Sequence, residues 1–187
     1  PWWERKINRT WDRYNEHAAI LLGKVRRGVS PYVSHQTLKI ARQRYLGSQR
    51  WIKEMEVINE EHNLVIPLED AVNASTANKT NRRNELMSRA RGFENLADEL
   101  GHQGVFITWT APSRFHAWKT RKDGRSIENE RYNGSTPRDT SLYLGKLWAR
   151  ARARLNRLGL HVYGFRVAEP HHDGTPHWHL LLFMSPQ

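Results

Sequence analysis

The stretch EPHHDGTPHWHLLLF, residues 169–183, contains the densest group of side chains in this chain that could do chemistry. Glu169 precedes a turn, and two histidines spaced two apart, His177 and His179, follow it. Side chains two residues apart on a β-strand point to the same face, so both imidazoles share one face if this segment is a strand. Two imidazoles beside a carboxylate form a donor set that suits a divalent metal ion.

The register of a hairpin decides whether the carboxylate joins the two imidazoles. Pairing this segment with the preceding one as antiparallel strands places Glu169 opposite His177 and Val167 opposite His179, all on one face. A slip of one residue would send Glu169 to the other face. We therefore predict that Glu169, His177 and His179 bind one divalent ion, Mg²⁺ or Mn²⁺, with Zn²⁺ as an alternative.

The same stretch also allows a purely structural interpretation, because paired histidines on a strand are often core or edge residues. His171 and His172 lie on the turn that carries Asp173 and Gly174, and we expect them to be exposed. Both faces of the last strand are largely apolar. This pattern predicts a central strand that is covered on both sides.

Helical patterns occupy residues 1–101, ahead of the elements that position this site. One amphipathic helix is predicted over residues 2–24, and a second from an N-cap at Ser34 to about Glu61. A third carries a core-facing apolar stripe and ends at Gly101, where a helix C-terminus favours glycine. The members of that stripe are Leu86, Ala90, Phe93, Ala97 and Leu100.

From residue 102 the pattern changes to strands, and we place the domain boundary there, between 1–101 and 102–187. A strand runs from Gly104 to Pro112, and a long polar loop follows. Thr136 and Pro137 begin a helix, and strands over about 160–169 and 177–184 close the chain. The order strand, helix, strand, strand predicts an α+β fold with an antiparallel sheet.

The composition favours a polyanionic partner. The 30 Lys and Arg against 19 Asp and Glu give a formal net charge of +11, and nucleic acid is the commonest soluble polyanion. The alternative is a basic protein that its charge keeps in solution. No cysteine is present, which excludes disulfides and thiolate metal sites and fits a reducing compartment. Without a membrane span or signal peptide, we expect a cytoplasmic protein and no membrane partner.

Basic and aromatic residues alternate after the first strand, in a pattern typical of single-strand binding, because cations contact phosphates and flat rings stack on bases. Two further arginines open the third predicted helix. A solvated loop and a polar helix start are the corresponding alternatives. The predicted DNA contacts are Arg114, Phe115, His116, Trp118, Lys119, Arg121, Arg82 and Arg83.

Several motifs together resemble a known family. GTPHWH with EP upstream is similar to the His-hydrophobic-His (HUH) motif of single-strand endonucleases, and VFITWTAPSRFHAW looks like their first motif. With NRRNELMSRARGFE and YLGKLWARARARL, the chain resembles the replication initiator (gene A) proteins of tailed bacteriophages and prophages. The resemblance implies an HUH-type (ferredoxin-like or RRM-like) domain in a bacterial host cytoplasm, with Mg²⁺ or Mn²⁺ at His177, His179 and Glu169.

The resemblance also implies an activity. It is a site-specific nickase that initiates rolling-circle replication on single-stranded origin DNA through a 5′-phosphotyrosine, with a host replication helicase as a further candidate partner. In the family the tyrosine follows the His-hydrophobic-His strand, so we expect it after Gln187, and we expect this chain to be a truncated piece that cannot nick. Tyr132, in the long loop, is the one tyrosine here worth testing. The alternatives are a non-enzymatic nucleic-acid-binding module and a zinc hydrolase that acts through water.

Overall fold

The computed structural model describes residues 1–186, which form two compact units. The first unit combines Pro1–Leu38 with the described residues from His102 on, and the second is Lys39–Gly101. The structure therefore differs from the division expected at residue 102, because residues 1–38 group with the sheet rather than with residues 39–101. Long-range packing, which leaves no local pattern, brings these two stretches together.

The elements alternate between helices and short antiparallel strands. The helices are α1 (Trp2–Leu21), α2 (His35–Glu54), α3 (Leu68–Ala74), α4 (Lys79–Leu100) and α5 (Pro137–Arg157). The strands are β1 (Glu56–Asn59), β2 (Leu64–Pro67), β3 (Gln103–Trp109), β4 (Trp118–Thr120), β5 (Ser126–Glu128), β6 (Tyr163–Pro170) and β7 (Pro176–Met184). The chain is thus α+β with antiparallel sheets, as its sequence predicts.

The main sheet of the first unit has three antiparallel strands in the order β3-β7-β6. Glu169 pairs with His177 and Val167 with His179, which is the register expected from the sequence. On the other edge of β7, Thr108 pairs with His179. The predicted central position of the last strand is therefore confirmed.

One face of this sheet packs against α5. Trp178, Leu180 and Leu182 point to that side and form a core with Leu144, which is fully buried on α5. The opposite face carries the histidines and is only partly covered, with Phe106 67% exposed and Val167 45% exposed. On this face of β7, Phe183 is buried but His177, His179 and Leu181 are half-buried, so the expectation that both faces of β7 are covered is met only in part.

Helix α5 begins where the sequence predicts. The Thr136 hydroxyl accepts a hydrogen bond from the Asp139 backbone N–H, and the Asp139 carboxylate accepts one from the Thr136 backbone N–H. This reciprocal capping box satisfies N–H groups that the first turn cannot pair internally. Pro137 follows at the first helical position, where its missing N–H costs nothing. These local interactions fix the residue at which α5 begins.

Gly164 is required for the close approach of β6 to β7. Its φ is +136°, and a Cβ there would lie 2.0 Å from the Leu181 carbonyl oxygen. No other residue type fits this position without moving the strand. Gly164 therefore lets the two strands pair closely next to the apolar end of the hairpin.

A second small core joins α1 to the rest of the first unit. Ile20, Val25 and Ala117 are buried together, with Trp118 and Tyr132 packed against them. The predicted polar loop after β3 is partly ordered here, because β4 and β5 pair within it as a hairpin. The apolar end of α1 thus packs on a hairpin that composition alone did not indicate.

In the second unit, α2 ends at Glu54 rather than near Glu61, because β1, which pairs with β2 as a hairpin, begins at Glu56, within the predicted helix. Both strands contain β-branched pairs, which favour extended backbone.

Helix α4 ends as predicted, with Gly101 at φ 64°. Its apolar stripe is only partly buried: Ala97 is buried, whereas Leu86 and Leu100 are exposed. None of the helices in residues 1–186 combines the length and hydrophobicity needed to cross a bilayer.

Candidate metal site

Three donor atoms converge on the open face of the main sheet. The Nε2 atoms of His177 and His179 are 2.9 Å apart, and His179 Nε2 lies 3.5 Å from Glu169 Oε2. One ligand atom from each residue lies within 4.8 Å of the others. The β6–β7 register produces this arrangement, because it brings Glu169 opposite His177 on the same face. We call these three residues the donor cluster.

Strand β3 supports the donor cluster from the other edge of β7. Thr108 Oγ1 lies 3.1 Å from His179 Nδ1, at hydrogen-bonding distance. The Phe106 ring stacks on the His179 imidazole, with centroids 5.6 Å apart and planes at 15°. The sequence analysis missed both residues. Phe106 and Thr108 are two residues apart on a predicted strand, so the sequence did place them on the same face. It did not predict that this strand pairs with β7.

The electrostatics of the donor cluster favour a neutral His177 ring. Burial lowers the pKa of His177, the neighbouring His179 lowers it further, and Glu169 opposes both effects. Neutral imidazole keeps a nitrogen lone pair, which metal binding requires. Among the described residues, His177 Nδ1 is buried without a hydrogen-bond partner.

His171 is not the exposed turn residue that the sequence analysis expected, whereas His172 is exposed. The His171 and His177 ring centroids are 4.0 Å apart, and His171 is half-buried. Burial lowers the pKa of His171 to about 4, and the nearby His177 contributes in the same direction. Its Nε2 is buried and has no hydrogen-bond partner within residues 1–186.

A second polar pair joins His116 to Asp173, a residue of the same turn. His116 Nδ1 is 3.1 Å from Asp173 Oδ2, and His116 Nε2 is 3.3 Å from the Ala111 carbonyl oxygen. Burial lowers the pKa of His116, but the hydrogen bond and charge of Asp173 outweigh it and the net pKa is raised. Burial raises the pKa of Asp173, and hydrogen bonds from His116 and Thr175 reverse this. Both partners of His116 are acceptors, so they stabilise the protonated ring.

The structure fully or partly buries the aromatic residues among the predicted DNA contacts and leaves the basic residues exposed. Phe115, expected to stack on bases, is 7% exposed and part of the core, so that expectation needs correction. His116 is half-buried and hydrogen-bonded to Asp173, and its contact with DNA stays a prediction. Trp118 is half-buried, and its indole N–H donates to the Ile20 carbonyl at 2.7 Å. The aromatic residues that suggested base stacking therefore hold the fold together. The basic residues Arg114, Lys119 and Arg121 are exposed.

Three predicted residues remain to be placed. Arg82 and Arg83 are exposed on α4 in the second unit, and Arg82 Nε donates to the Thr76 carbonyl at 3.2 Å. The Tyr132 hydroxyl donates to the Ser135 carbonyl at 2.7 Å. Burial, followed by the charges of Asp173 and Asp139, raises the pKa of Tyr132. A raised pKa disfavours the phenolate, so Tyr132 is poorly placed to act as a nucleophile.

The fold and the site define a basic α+β protein with a candidate metal site on the central strand of its sheet. Comparison with known families gives a more particular assignment. The chain belongs to the bacteriophage replication gene A protein family, whose sequence model matches residues 1–187.

Individual relatives agree with this assignment. The chain is 41% identical to the probable replication protein P12 of Pseudoalteromonas phage PM2 and 44% identical to the replication gene A protein of Escherichia phage 186; both alignments cover 100% of the chain. It is 40% identical, over 98% of its length, to a probable replication endonuclease from a prophage-like region of Shigella boydii serotype 4 (strain Sb227). The chain spans only 28%, 26% and 22% of these three relatives. No solved structure matches.

Proposed function

We propose that this chain is the metal- and DNA-binding part of an HUH-type single-strand endonuclease that initiates rolling-circle replication. In this proposal Glu169, His177 and His179 bind one Mg²⁺ or Mn²⁺ ion beside the phosphate that is cut. The proposal is supported by the family and by the names of its relatives, which describe a replication gene A protein and a probable replication endonuclease. A host replication helicase as partner stays a prediction.

The single observation that carries the proposal is the convergence of the three donors. Two imidazoles and a carboxylate whose ligand atoms lie within 4.8 Å of one another fit a divalent ion by their chemistry. A bound metal would stabilise negative charge that develops on the phosphate. Thr108 orients the His179 ring through its Nδ1 atom, as partners of metal-binding histidines commonly do.

The surface around the donor cluster suits a single strand. Phe106 is largely exposed next to His179, so its ring can stack on an unpaired base. Lys119 and Arg121 are exposed on the neighbouring hairpin and can contact backbone phosphates. Because contacts with phosphates release counterions, DNA binding by this chain should weaken steeply as salt rises.

The attacking group in the proposed reaction is a tyrosine. Its oxygen bonds to phosphorus while the bond to the 3′ oxygen breaks, which leaves a 5′-phosphotyrosine and a free 3′-hydroxyl. An unperturbed phenol has a pKa near ~10 and is a weak nucleophile at neutral pH, so charge stabilisation at the phosphate is needed. Tyr132 is not our candidate, since its hydroxyl is engaged by Ser135 and its pKa is raised.

Mn²⁺ titration of the purified chain, followed by calorimetry, tests the metal site. Loss of a direct ligand should weaken binding by more than the ~10–100-fold that loss of a supporting residue costs, so His177→Ala should abolish tight binding. His161→Ala, which removes an exposed histidine from the same unit, is the matched control and should bind Mn²⁺ normally. Equal Mn²⁺ affinity in the two variants would support the alternative, a non-enzymatic nucleic-acid-binding module whose histidines are structural.

A covalent-capture assay tests the chemistry. A random-sequence single-stranded oligonucleotide labelled at its 3′ end is incubated with the chain and Mn²⁺, then separated on a denaturing gel. We expect no labelled protein, because Tyr132, the one candidate tyrosine of this chain, has its hydroxyl engaged by Ser135 and its pKa raised. A labelled band that persists in the Tyr132→Phe variant would place the nucleophile on another tyrosine of this chain. Free cleaved oligonucleotide without a labelled band would instead favour hydrolysis by water.

A further inference from the structure

A basic segment between the first two helices lies against the turn of the β6–β7 hairpin. Residues 22–34, here called the basic loop, carry Lys24, Arg26 and Arg27 between α1 and α2. The Tyr32 N–H donates to the His172 carbonyl at 3.2 Å. The Ser126 hydroxyl donates to the Arg27 carbonyl at 3.1 Å. The basic loop is therefore bonded both to the turn before β7 and to β5.

Two glycines allow this close packing. Gly23 has φ +68°, and a Cβ there would lie 2.7 Å from the Trp118 ring. Gly174, on the turn, has φ +80°, and a Cβ there would lie 3.2 Å from Ile20 Cδ1. Both positions need positive φ and also space that a side chain would fill. The loop is thus closely fitted to its neighbours rather than loosely attached.

A cavity of about 180 Å³ lies between the basic loop and the turn. Its walls include Arg26, Arg27, His171, His172 and Trp118. This volume is several times the ~30 Å³ that one water occupies in the liquid, so the cavity can admit a larger polar group. We call it the basic pocket.

Arg26 is held in place at the wall of the basic pocket. Its Nε donates to the Gly23 carbonyl at 2.9 Å, and its guanidinium carbon lies 5.2 Å from the centroid of the Trp118 ring. That hydrogen bond uses one of five guanidinium N–H donors. Within residues 1–186 the two terminal nitrogens make no hydrogen bond, so a preoriented fork that matches phosphate geometry is left for a ligand.

The one carboxylate that lines the basic pocket does not oppose an anion. Asp173 accepts hydrogen bonds from His116 and from the Thr175 backbone N–H, so its charge is compensated. His171 connects the pocket with the donor cluster, because it lines the pocket and its ring lies 4.0 Å from that of His177. A ligand in the pocket would therefore lie close to the metal site.

We propose that the basic pocket binds a backbone phosphate of single-stranded DNA, next to the phosphate held at the donor cluster, through Arg26 and Arg27. This inference rests on the proposed function, since it names a second contact of the same substrate. It assigns a role in binding to the connection between α1 and α2. It also gives a reason why residues 1–38 group with the sheet.

The test measures the affinity of a fluorescein-labelled, random-sequence single-stranded oligonucleotide by anisotropy in EDTA, so that no metal contributes. The double variant R26Q/R27Q should bind about tenfold more weakly, and its salt slope should fall by about 0.7 for one lost phosphate contact. The control R5Q/R9Q removes the same charge from exposed positions on α1 and should keep the wild-type slope. An equal loss in both double variants would overturn the proposal.

Two further measurements keep the outcome clear. If R26Q/R27Q does not fold, the single variant R27Q decides, because the Arg27 side chain is exposed; it should still lower affinity, and wild-type affinity would refute the pocket. Mn²⁺ affinity should be unchanged in all of these variants. A chain that binds Mn²⁺ and DNA normally despite R26Q/R27Q contradicts only the pocket, whereas a wild-type chain that binds neither contradicts the proposed function itself.

Discussion

The donor cluster and the His116–Asp173 pair are made of the same residue types but differ in what surrounds their nitrogens. In the donor cluster, two histidine nitrogens face each other and a carboxylate that is exposed to solvent. In the other pair, each nitrogen of His116 meets an oxygen acceptor, and its side chain is only 16% exposed. The first arrangement leaves nitrogen and oxygen atoms that can bind a metal. In the second, both N–H groups of His116 already have hydrogen-bond acceptors within the protein.

This difference shows that the role of a histidine follows from the acceptors around its two nitrogens. A ring enclosed by two acceptors is stabilised as a cation and strengthens the fold. The Nε2 atom of His177 faces the His179 ring instead, and burial together with that ring lowers the pKa of His177, so its neutral form keeps a lone pair for a metal. The three predictions below test this distinction, beginning with the largest expected effect.

Asp173→Asn should destabilise the chain while leaving the donor cluster intact. It removes a charge-assisted hydrogen bond to His116 from a site that is only 6% exposed, so the free energy of unfolding should fall by about 2–3 kcal/mol. Urea denaturation at neutral pH measures the change. Glu130→Gln, at an exposed position in the same unit, is the control and should change stability by less than ~0.5 kcal/mol. Unchanged stability in Asp173→Asn would remove the distinction between the two clusters.

Thr108→Val should weaken metal binding, whereas Asp173→Asn weakens the fold. The substitution keeps the shape of the side chain but removes the hydroxyl that orients the His179 ring, so Mn²⁺ affinity should fall by at least about tenfold. Calorimetric titration measures it, with Thr110→Val, just beyond β3 at an exposed position, as the control. Equal Mn²⁺ affinities in both variants would show that Thr108 does not support the site.

The pH dependence of stability should show that His116 is protonated in the folded chain. Because the pKa of His116 is raised on folding, its contribution is complete below the ordinary histidine value of ~6.5 and is lost as pH rises through the folded value. The stability advantage of wild type over His116→Gln should therefore shrink from mildly acidic to alkaline pH. Denaturation curves across that range measure it. An advantage that grows with pH would contradict the assignment of a protonated His116.

The sequence predicted the parts of the fold that depend on local patterns. Alternation fixed the β6–β7 register and therefore the donor cluster, and the Thr136 and Gly101 signals placed two helix ends. These features depend on residues within a few positions of one another along the chain or across one tight turn. The energies that favour them are already present in short segments.

The features that the sequence did not predict depend on distant contacts. The basic loop contacts a turn some 140 residues further along the chain, and no pattern in either segment predicts this contact. Phe115 and Trp118 looked like base-stacking residues because aromatic side chains suit both a core and a nucleotide, and only packing decides between them. The β1–β2 hairpin was missed since its short strands follow a strong helical stripe.

The central place of β7 has a consequence for how the site behaves over time. A strand at a sheet edge can fray, but β7 is hydrogen-bonded to β3 on one side and to β6 on the other along nearly its whole length. Its amide hydrogens should therefore be among the slowest to exchange with solvent, since both ladders must open to release them. The two histidines should therefore keep their spacing while nearby loops open locally, so the geometry of the donor cluster does not depend on loop motion.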